Sequence, residues 1–244
     1  MKDIAIQTTG LSKLYGTKEA LKKLSLSVKT GEIFGLLGHN GAGKTTTVNI
    51  LTTLLEPTNG RANVNSFDIT KNANGVRQSI GYLPENVQFY DNLTLLENLQ
   101  FFARLSGIDN PEKRIHTVLK FLDFIGHENE RLVTFSKGMR QRVGIAQAIL
   151  HEPKVLFLDE PTSGLDPQGV KNLREIIISL NKELGMTIFM NTHLLEEVTK
   201  TCTSIGILRD GELIYQDSLA STLKSFSDQA SLEDIYLQIE AKTT

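Results

Sequence analysis

Hydrophobic residues fall into three kinds of run along this chain, and each kind predicts a different element. Two runs are short and continuous: Ile33-Phe34-Gly35-Leu36-Leu37 after Glu32, and Val155-Leu156-Phe157-Leu158. Unbroken apolar stretches of this length suit strands buried on both faces of a parallel sheet. Leu24-Ser25-Leu26-Ser27-Val28 alternates instead, which predicts a half-exposed strand. Short strands are also predicted at 61–64 and at 80–83, where Pro84 ends the second. From Thr94 the period lengthens. Leu95, Leu96, Leu99, Phe102 and Leu105 share one helical face, and Thr94 with Glu97 makes a capping box.

Further helices are predicted over 44–55, over 111–125 with Pro111 in its first turn, and from Ser136 through Ile149. Residues 89–150 therefore read as a mostly helical subdomain inserted between strand-rich flanks. Beyond it come a helix over 168–184, a strand over Thr187–Asn191 and a short helix over 194–201. Ser204–Arg209 and 212–215 form a predicted hairpin that turns through Asp210-Gly211 as type I′. The tail, 218–244, reads as two short helices. No internal repeat, low-complexity segment or heptad run is visible.

Composition narrows the classes. The 244 residues lie within the range of a single α/β domain. At 40% hydrophobic the chain holds enough apolar residues for a core and too many for disorder. A net charge of −2 argues against a broad basic surface, so no nucleic-acid partner is expected. Cys202 is the one cysteine, which excludes an intramolecular disulfide and suits a reducing compartment. It reads as a packing residue in preference to a reactive thiol. The N-terminus shows no secretion signal, and no apolar run reaches the ~18 residues that cross a bilayer. Any membrane role is expected to run through a separate partner.

Three motifs carry chemistry. Residues 38–46 read Gly-His-Asn-Gly-Ala-Gly-Lys-Thr-Thr, which fits G-x-x-x-x-G-K-[ST] through Gly38, Gly43, Lys44 and Thr45. Binding polyphosphate needs many backbone N–H groups aimed inward, and glycines leave that approach open. The strand before and the helix after are the context the motif requires, because the helix N-terminus adds positive potential. Second, Asp159-Glu160 follows the apolar run at 155–158, at the carboxyl end of a predicted central strand, where open α/β sheets bind ligands. Asp159 is suited to hold Mg²⁺ with the Thr45 hydroxyl, and Glu160 to orient and deprotonate an attacking water. Read alone, Asp-Glu-Pro is equally a polar strand exit. Third, in Phe135-Ser136-Lys137-Gly138-Met139-Arg140-Gln141-Arg142, Ser136 can cap the following helix while its hydroxyl and the Gly138 backbone face an anion. A plain N-cap is the simpler reading of that stretch.

Taken in order, these motifs resemble the nucleotide-binding subunit of an ATP-binding-cassette (ABC) transporter. Ser136-Lys137-Gly138-Met139 corresponds to the signature, Ser163-Gly164-Leu165-Asp166 resembles the D-loop, and Thr192-His193 resembles the switch histidine. Tyr15 matches the aromatic that stacks on adenine, with a core aromatic as the plainer alternative. The resemblance spans about residues 3–215. It implies an α/β fold with a P-loop NTPase core and mostly parallel sheet, an N-terminal antiparallel β subdomain and the inserted helical subdomain, in one domain over 1–244. It implies ATP and Mg²⁺, held by Tyr15, the loop residues Gly38, His39, Asn40, Gly41, Ala42, Gly43, Lys44, Thr45 and Thr46, then Glu85, Ser136, Gly138 and Asp166, with Thr45, Asp159 and Glu85 toward the metal. Lys44, Glu160 and His193 would be catalytic. The His39 side chain is expected to point away from the nucleotide, and His116, His127 and His151 to be solvent or packing residues.

Two departures stand out. Glu85 occupies a place where many members carry Gln, with Gln88 as a weaker substitute, and Lys137 stands where the commonest signature has Gly. In the family one subunit's signature completes the other's ATP site, so Ser136 and Gly138 of one copy would meet the γ-phosphate held by Lys44 of another. The partners implied are a second copy or a homologous ATPase, and a separate transmembrane permease that places the chain peripherally on the cytoplasmic face of the cell membrane. Tyr-Leu-Pro-Glu at 82–85, Phe-Ser-Lys-Gly-Met at 135–139 and Leu232-Glu233-Asp234-Ile235-Tyr236-Leu237 are similar to the exporter branch that handles drugs, antibiotics or lipids. The alternative is a soluble ABC-type ATPase acting on another macromolecular assembly, which a single cassette without heptads disfavours. A scaffold that only binds nucleotide is disfavoured by Glu160.

Overall fold

A computed structural model describes residues 3–225 and 231–242. The chain opens with β1 (Ile4–Tyr15), β2 (Lys18–Leu24) and β3 (Ser27–Lys29), then β4 (Ile33–Leu37), α1 (Lys44–Leu51), β5 (Asn59–Val64), β6 (Phe67–Asp68), α2 (Ala73–Ser79) and β7 (Ile80–Leu83). Three helices follow, α3 (Leu95–Leu105), α4 (Glu112–Phe121) and α5 (Lys137–Ile149), with a short 3₁₀ turn at Leu132–Thr134. Next come β8 (Val155–Asp159), α6 (Pro167–Leu184), β9 (Thr187–Asn191), α7 (Leu195–Thr201), β10 (Ser204–Arg209), β11 (Glu212–Ser218), α8 (Leu219–Ser225) and α9 (Leu232–Lys242).

The strands form two sheets. One runs β2-β1-β5-β6, with β3 also on β1, and all its pairings are antiparallel. The other runs β11-β10-β4-β9-β8-β7 and is parallel except for the β10–β11 hairpin. The continuous apolar runs are explained by that second sheet, which is covered on both faces. Leu156, Leu158, Ile188 and Met190 face the helices, while Phe157 and Phe189 face α1 and the antiparallel sheet. Phe189 lies between Phe34 and Phe157, with ring centroids 5.2 and 5.4 Å away. Because β4, β7, β8 and β9 run the same way, the residues that follow them gather at one sheet edge.

Several boundaries differ from expectation. The alternating run at 24–28 is not one strand: Thr8 breaks it, its Oγ1 donating to the Leu24 carbonyl (3.0 Å) and accepting from the Leu26 N–H (2.9 Å). Leu24, Leu26 and Val28 nonetheless all face the core. α1 stops at Leu51 and not at 55, because Thr53 turns left-handed (φ +64°) and the N–H groups of Leu54 and Leu55 both return to the Asn49 carbonyl. α4 likewise ends at Phe121, short of 125, where Asp123 takes φ +56° and the Phe124 N–H bonds the Leu119 carbonyl. On α3 Leu105 is exposed, and its expected place on the buried face goes to Ala103 and Asn98, the latter bonding both backbone groups of Tyr90. β11 extends to Ser218, past 215. The Thr94–Glu97 capping box, the Ser136 N-cap and the positive φ of both Asp210 and Gly211 stand as expected.

Candidate functional site

The glycine-rich loop leaves β4 and enters α1. Gly41 and Gly43 have φ of +89° and +109°, and a methyl group at Gly43 would lie 2.6 Å from the Ala20 carbonyl oxygen, so only glycine fits. α1 has no side-chain N-cap and no acid in its first turn, which leaves its N–H groups to an anion. Lys44 is buried and donates through Nζ to the carbonyls of Gly38 (2.7 Å) and His39 (3.2 Å). Burial lowers its pKa, and the charges of Glu160 and Asp159 push back. The His39 ring turns to Asp210, with Nε2 3.6 Å from the carboxylate, and away from the cavity described below. Ala42 packs in the core, and its N–H donates to the His39 carbonyl.

The acid pair ends β8. Asp159 is buried beside Thr45, whose hydroxyl donates to Oδ1 over 3.4 Å. Burial raises the Asp159 pKa, and the charges of Glu160 and Glu85 raise it further, against the pull of the Asn191 amide and the Thr45 hydroxyl. The Tyr82 phenol, on neighbouring β7, is pushed up to about 12 by burial and by the nearby Asp159. Glu160 itself sits at φ +46°, unusual for a side chain with a Cβ. Two bonds hold it there: its N–H donates to the Asn191 carbonyl (3.1 Å) and to Asn191 Oδ1 (2.9 Å). This turns the carboxylate between Lys44 Nζ (3.8 Å from Oε1) and His193 Nδ1 (3.0 Å from Oε2).

Lys44, Thr45, Glu160 and His193 line a cavity of about 710 Å³ together with Tyr15, Lys18, Glu85 and Ser163. The volume is within the range of nucleotide-sized ligands. Asn40, Gly41, Gly43, Lys44, Thr45 and Thr46 all face it, and Tyr15 is a half-exposed aromatic at the end of β1, not a core residue. Gln88 is not among its lining. Ser136, Gly138 and Asp166 are elsewhere: with Lys137 and Gly164 they line a separate cavity of about 290 Å³. Ser136 caps α5 by accepting from the Met139 N–H, and Asp166 caps α6 by accepting from the Gly169 N–H. A metal would meet only oxygen here, from Thr45, Asp159 and Glu85. Among the described residues no group of three or more His, Cys, Asp or Glu is arranged for a metal.

Asn191 and Tyr82 were not picked out as site residues by sequence, while Ser163 came in only with the stretch that resembles the D-loop. Asn191 has a signal in hindsight, a polar residue closing an apolar strand as Asp159 does. Tyr82 has none.

Residues 21–163 match the family model described as ABC transporter. The chain belongs to the ABC transporter family. It is similar to the bacitracin transport ATP-binding protein BcrA of Bacillus licheniformis, with 44% identity over 86% of this chain and 69% of that protein. It is also similar to the linearmycin resistance ATP-binding protein LnrL of Bacillus subtilis, with 39% identity over 86% of this chain and 68% of that one. A solved ATP-binding subunit of an ABC transporter superposes with a TM-score of 0.85 at 31% identity, covering 97% of this chain and 99% of its own. The ABC cassette MJ0796, solved as a dimer with ADP and Pi, superposes at 0.78 with 27% identity over 88% and 98%. The chain is thus an ATP-binding, ATP-hydrolysing subunit of an ABC transporter with the P-loop NTPase fold.

Proposed function

We propose that two copies of this chain close around two ATP–Mg²⁺ and drive a separate membrane permease that exports an antibiotic, drug or lipid. The observation that carries the dimer is the separation of the two halves of the site. Lys44, Thr45, Glu160 and His193 share one cavity, while Ser136 and Gly138 line another. The names of the bacitracin and linearmycin relatives support export of an antibiotic-like compound. No helix among the described residues is long and apolar enough to cross a membrane; in this reading the transport path belongs to a partner, on whose cytoplasmic side this chain would sit. The partner's landing place is supported by exposed apolar side chains within 89–150: Tyr90, Phe101, Leu105 and Val133, with Tyr90 edge-on to Phe101 at 5.0 Å.

In this reading Tyr15 stacks on the base, and Lys44 with the loop N–H groups neutralises the phosphates. Thr45, Asp159 and Glu85 would hold Mg²⁺, which supplies further charge neutralisation at the phosphate oxygens. Glu160 orients water and takes its proton as the water oxygen bonds to the γ-phosphorus and the bond to ADP breaks. His193 holds the far carboxylate oxygen of Glu160. Such positioning and charge stabilisation is most of phosphoryl-transfer catalysis.

With the membrane protein that co-purifies from solubilised membranes, ATP turnover should rise, and rise again with the exported compound. Glu160→Gln in that complex should bind ATP and leave it uncleaved. Turnover indifferent to both the membrane protein and the compound would overturn the export reading.

A further inference from the structure

A cavity of about 530 Å³ lies behind His193, walled by α6, α7 and the start of α9. Inside it Arg174 of α6 meets Glu197 of α7, with Nη1 3.5 Å from Oε1 and side chains 17% and 10% exposed. The second carboxylate oxygen, Oε2, is buried and accepts no hydrogen bond among the described residues. A buried pair of this kind adds little net stability over apolar packing; its best-attested use is to fix which elements meet and in what register.

The register matters because of what each helix leads to. α6 starts at the Asp166 cap, on the loop that leaves Glu160 through Ser163. α7 starts two residues after His193, and its N-cap, Leu194, has no side-chain cap. His193 is 47% exposed, and its backbone neighbours are tied on both sides, the Thr192 N–H to the Leu36 carbonyl (3.2 Å) and the Val198 N–H to the Leu194 carbonyl (3.3 Å). The Leu194 N–H bonds Thr192 Oγ1 (3.1 Å), and the Leu194 carbonyl accepts from the Glu197 N–H (3.1 Å). Glu197 therefore holds the His193 turn through its N–H and α6 through its carboxylate.

We propose that Arg174 and Glu197 are positioning residues for His193: their pair locks α7 on α6 so that the imidazole stays against Glu160. This rests on the reading of Glu160 and His193 as partners in hydrolysis.

The test is a cycle on ATPase turnover of the full chain. Glu197→Gln should lower kcat roughly 10- to 100-fold, the usual cost of a displaced catalytic group, with ATP KM little changed because the phosphate loop is untouched. Arg174→Lys, which keeps the charge and loses the planar fork, should retain more turnover than Arg174→Met. In a His193→Ala background Glu197→Gln should cost nothing further, since residues acting as a unit are not additive. Wild-type kcat in Glu197→Gln, or an equal fold-loss in both backgrounds, overturns the proposal. His193→Ala with wild-type kcat removes the hydrolytic reading of His193 and the pair's role with it. If Glu197→Gln does not fold, Arg174→Lys carries the same comparison.

Discussion

At Asp159 burial and neighbouring charge act together against the ionised carboxylate, with hydrogen bonds from Asn191 and Thr45 opposing them. Its pKa is raised in the fold, first by desolvation and then by Glu160 and Glu85. A carboxyl raised in this way favours folding only while it is protonated. Its contribution is present below the unfolded carboxylate range, near pH ~4, and is lost as pH rises through the raised folded value. At pH 7, above the unfolded carboxylate range, burying this carboxyl weighs against the fold. Asp159→Asn should therefore melt at a higher temperature than the parent at pH 7, the gap closing as pH falls toward about 4. The same variant should lose Mg²⁺-dependent hydrolysis. Thermal scans across pH check the first statement and ATPase assays the second. Cys202, by contrast, is buried, and burial pushes its thiol far up.

At the scale of elements, the helix starts are the most local devices in the chain and were the most legible. Thr94 accepts from the Glu97 N–H (3.2 Å), and Glu97 accepts from the Thr94 N–H (2.8 Å). Thr94→Ala should cost about 1 kcal/mol, seen as a fall of roughly 2–4 °C in Tm for a chain of this size, with ATP turnover unchanged. β8 and β9 were legible for a different reason: a strand covered on both faces cannot carry an interior polar residue, so its apolar run marks it. Two helix ends were not, although those at Ile149, Leu184 and Thr201 fall where the sequence puts them. Thr53 and Asp123 turn the chain at positive φ without the glycine that signals such a turn, and the break at 24–28 depends on Thr8 reaching across from β1. The roles of Asn191 and Tyr82 come from strand order. Each touches the acid pair because β9 and β7 flank β8, a fact no local pattern encodes.

Seen as a whole, the molecule brings the charge-handling groups of the phosphate loop, β8 and β9 to one sheet edge and leaves Ser136 and Gly138 on another surface. Gly138 has no neighbour within 4 Å of where a Cβ would stand, so the fold itself does not require a glycine there. In the proposed dimer that open space would take the triphosphate of another copy. The dimeric MJ0796 cassette supports such a pairing. That claim has a direct measurement. Lys44→Ala and Gly138→Asp chains should each be inactive alone, the first for lack of phosphate binding and the second because a carboxylate would face the triphosphate. Mixed, they can pair so that one wild-type phosphate loop faces one wild-type signature, and ATP turnover should return. A mixture no more active than the sum of its two components would contradict a site built from two copies.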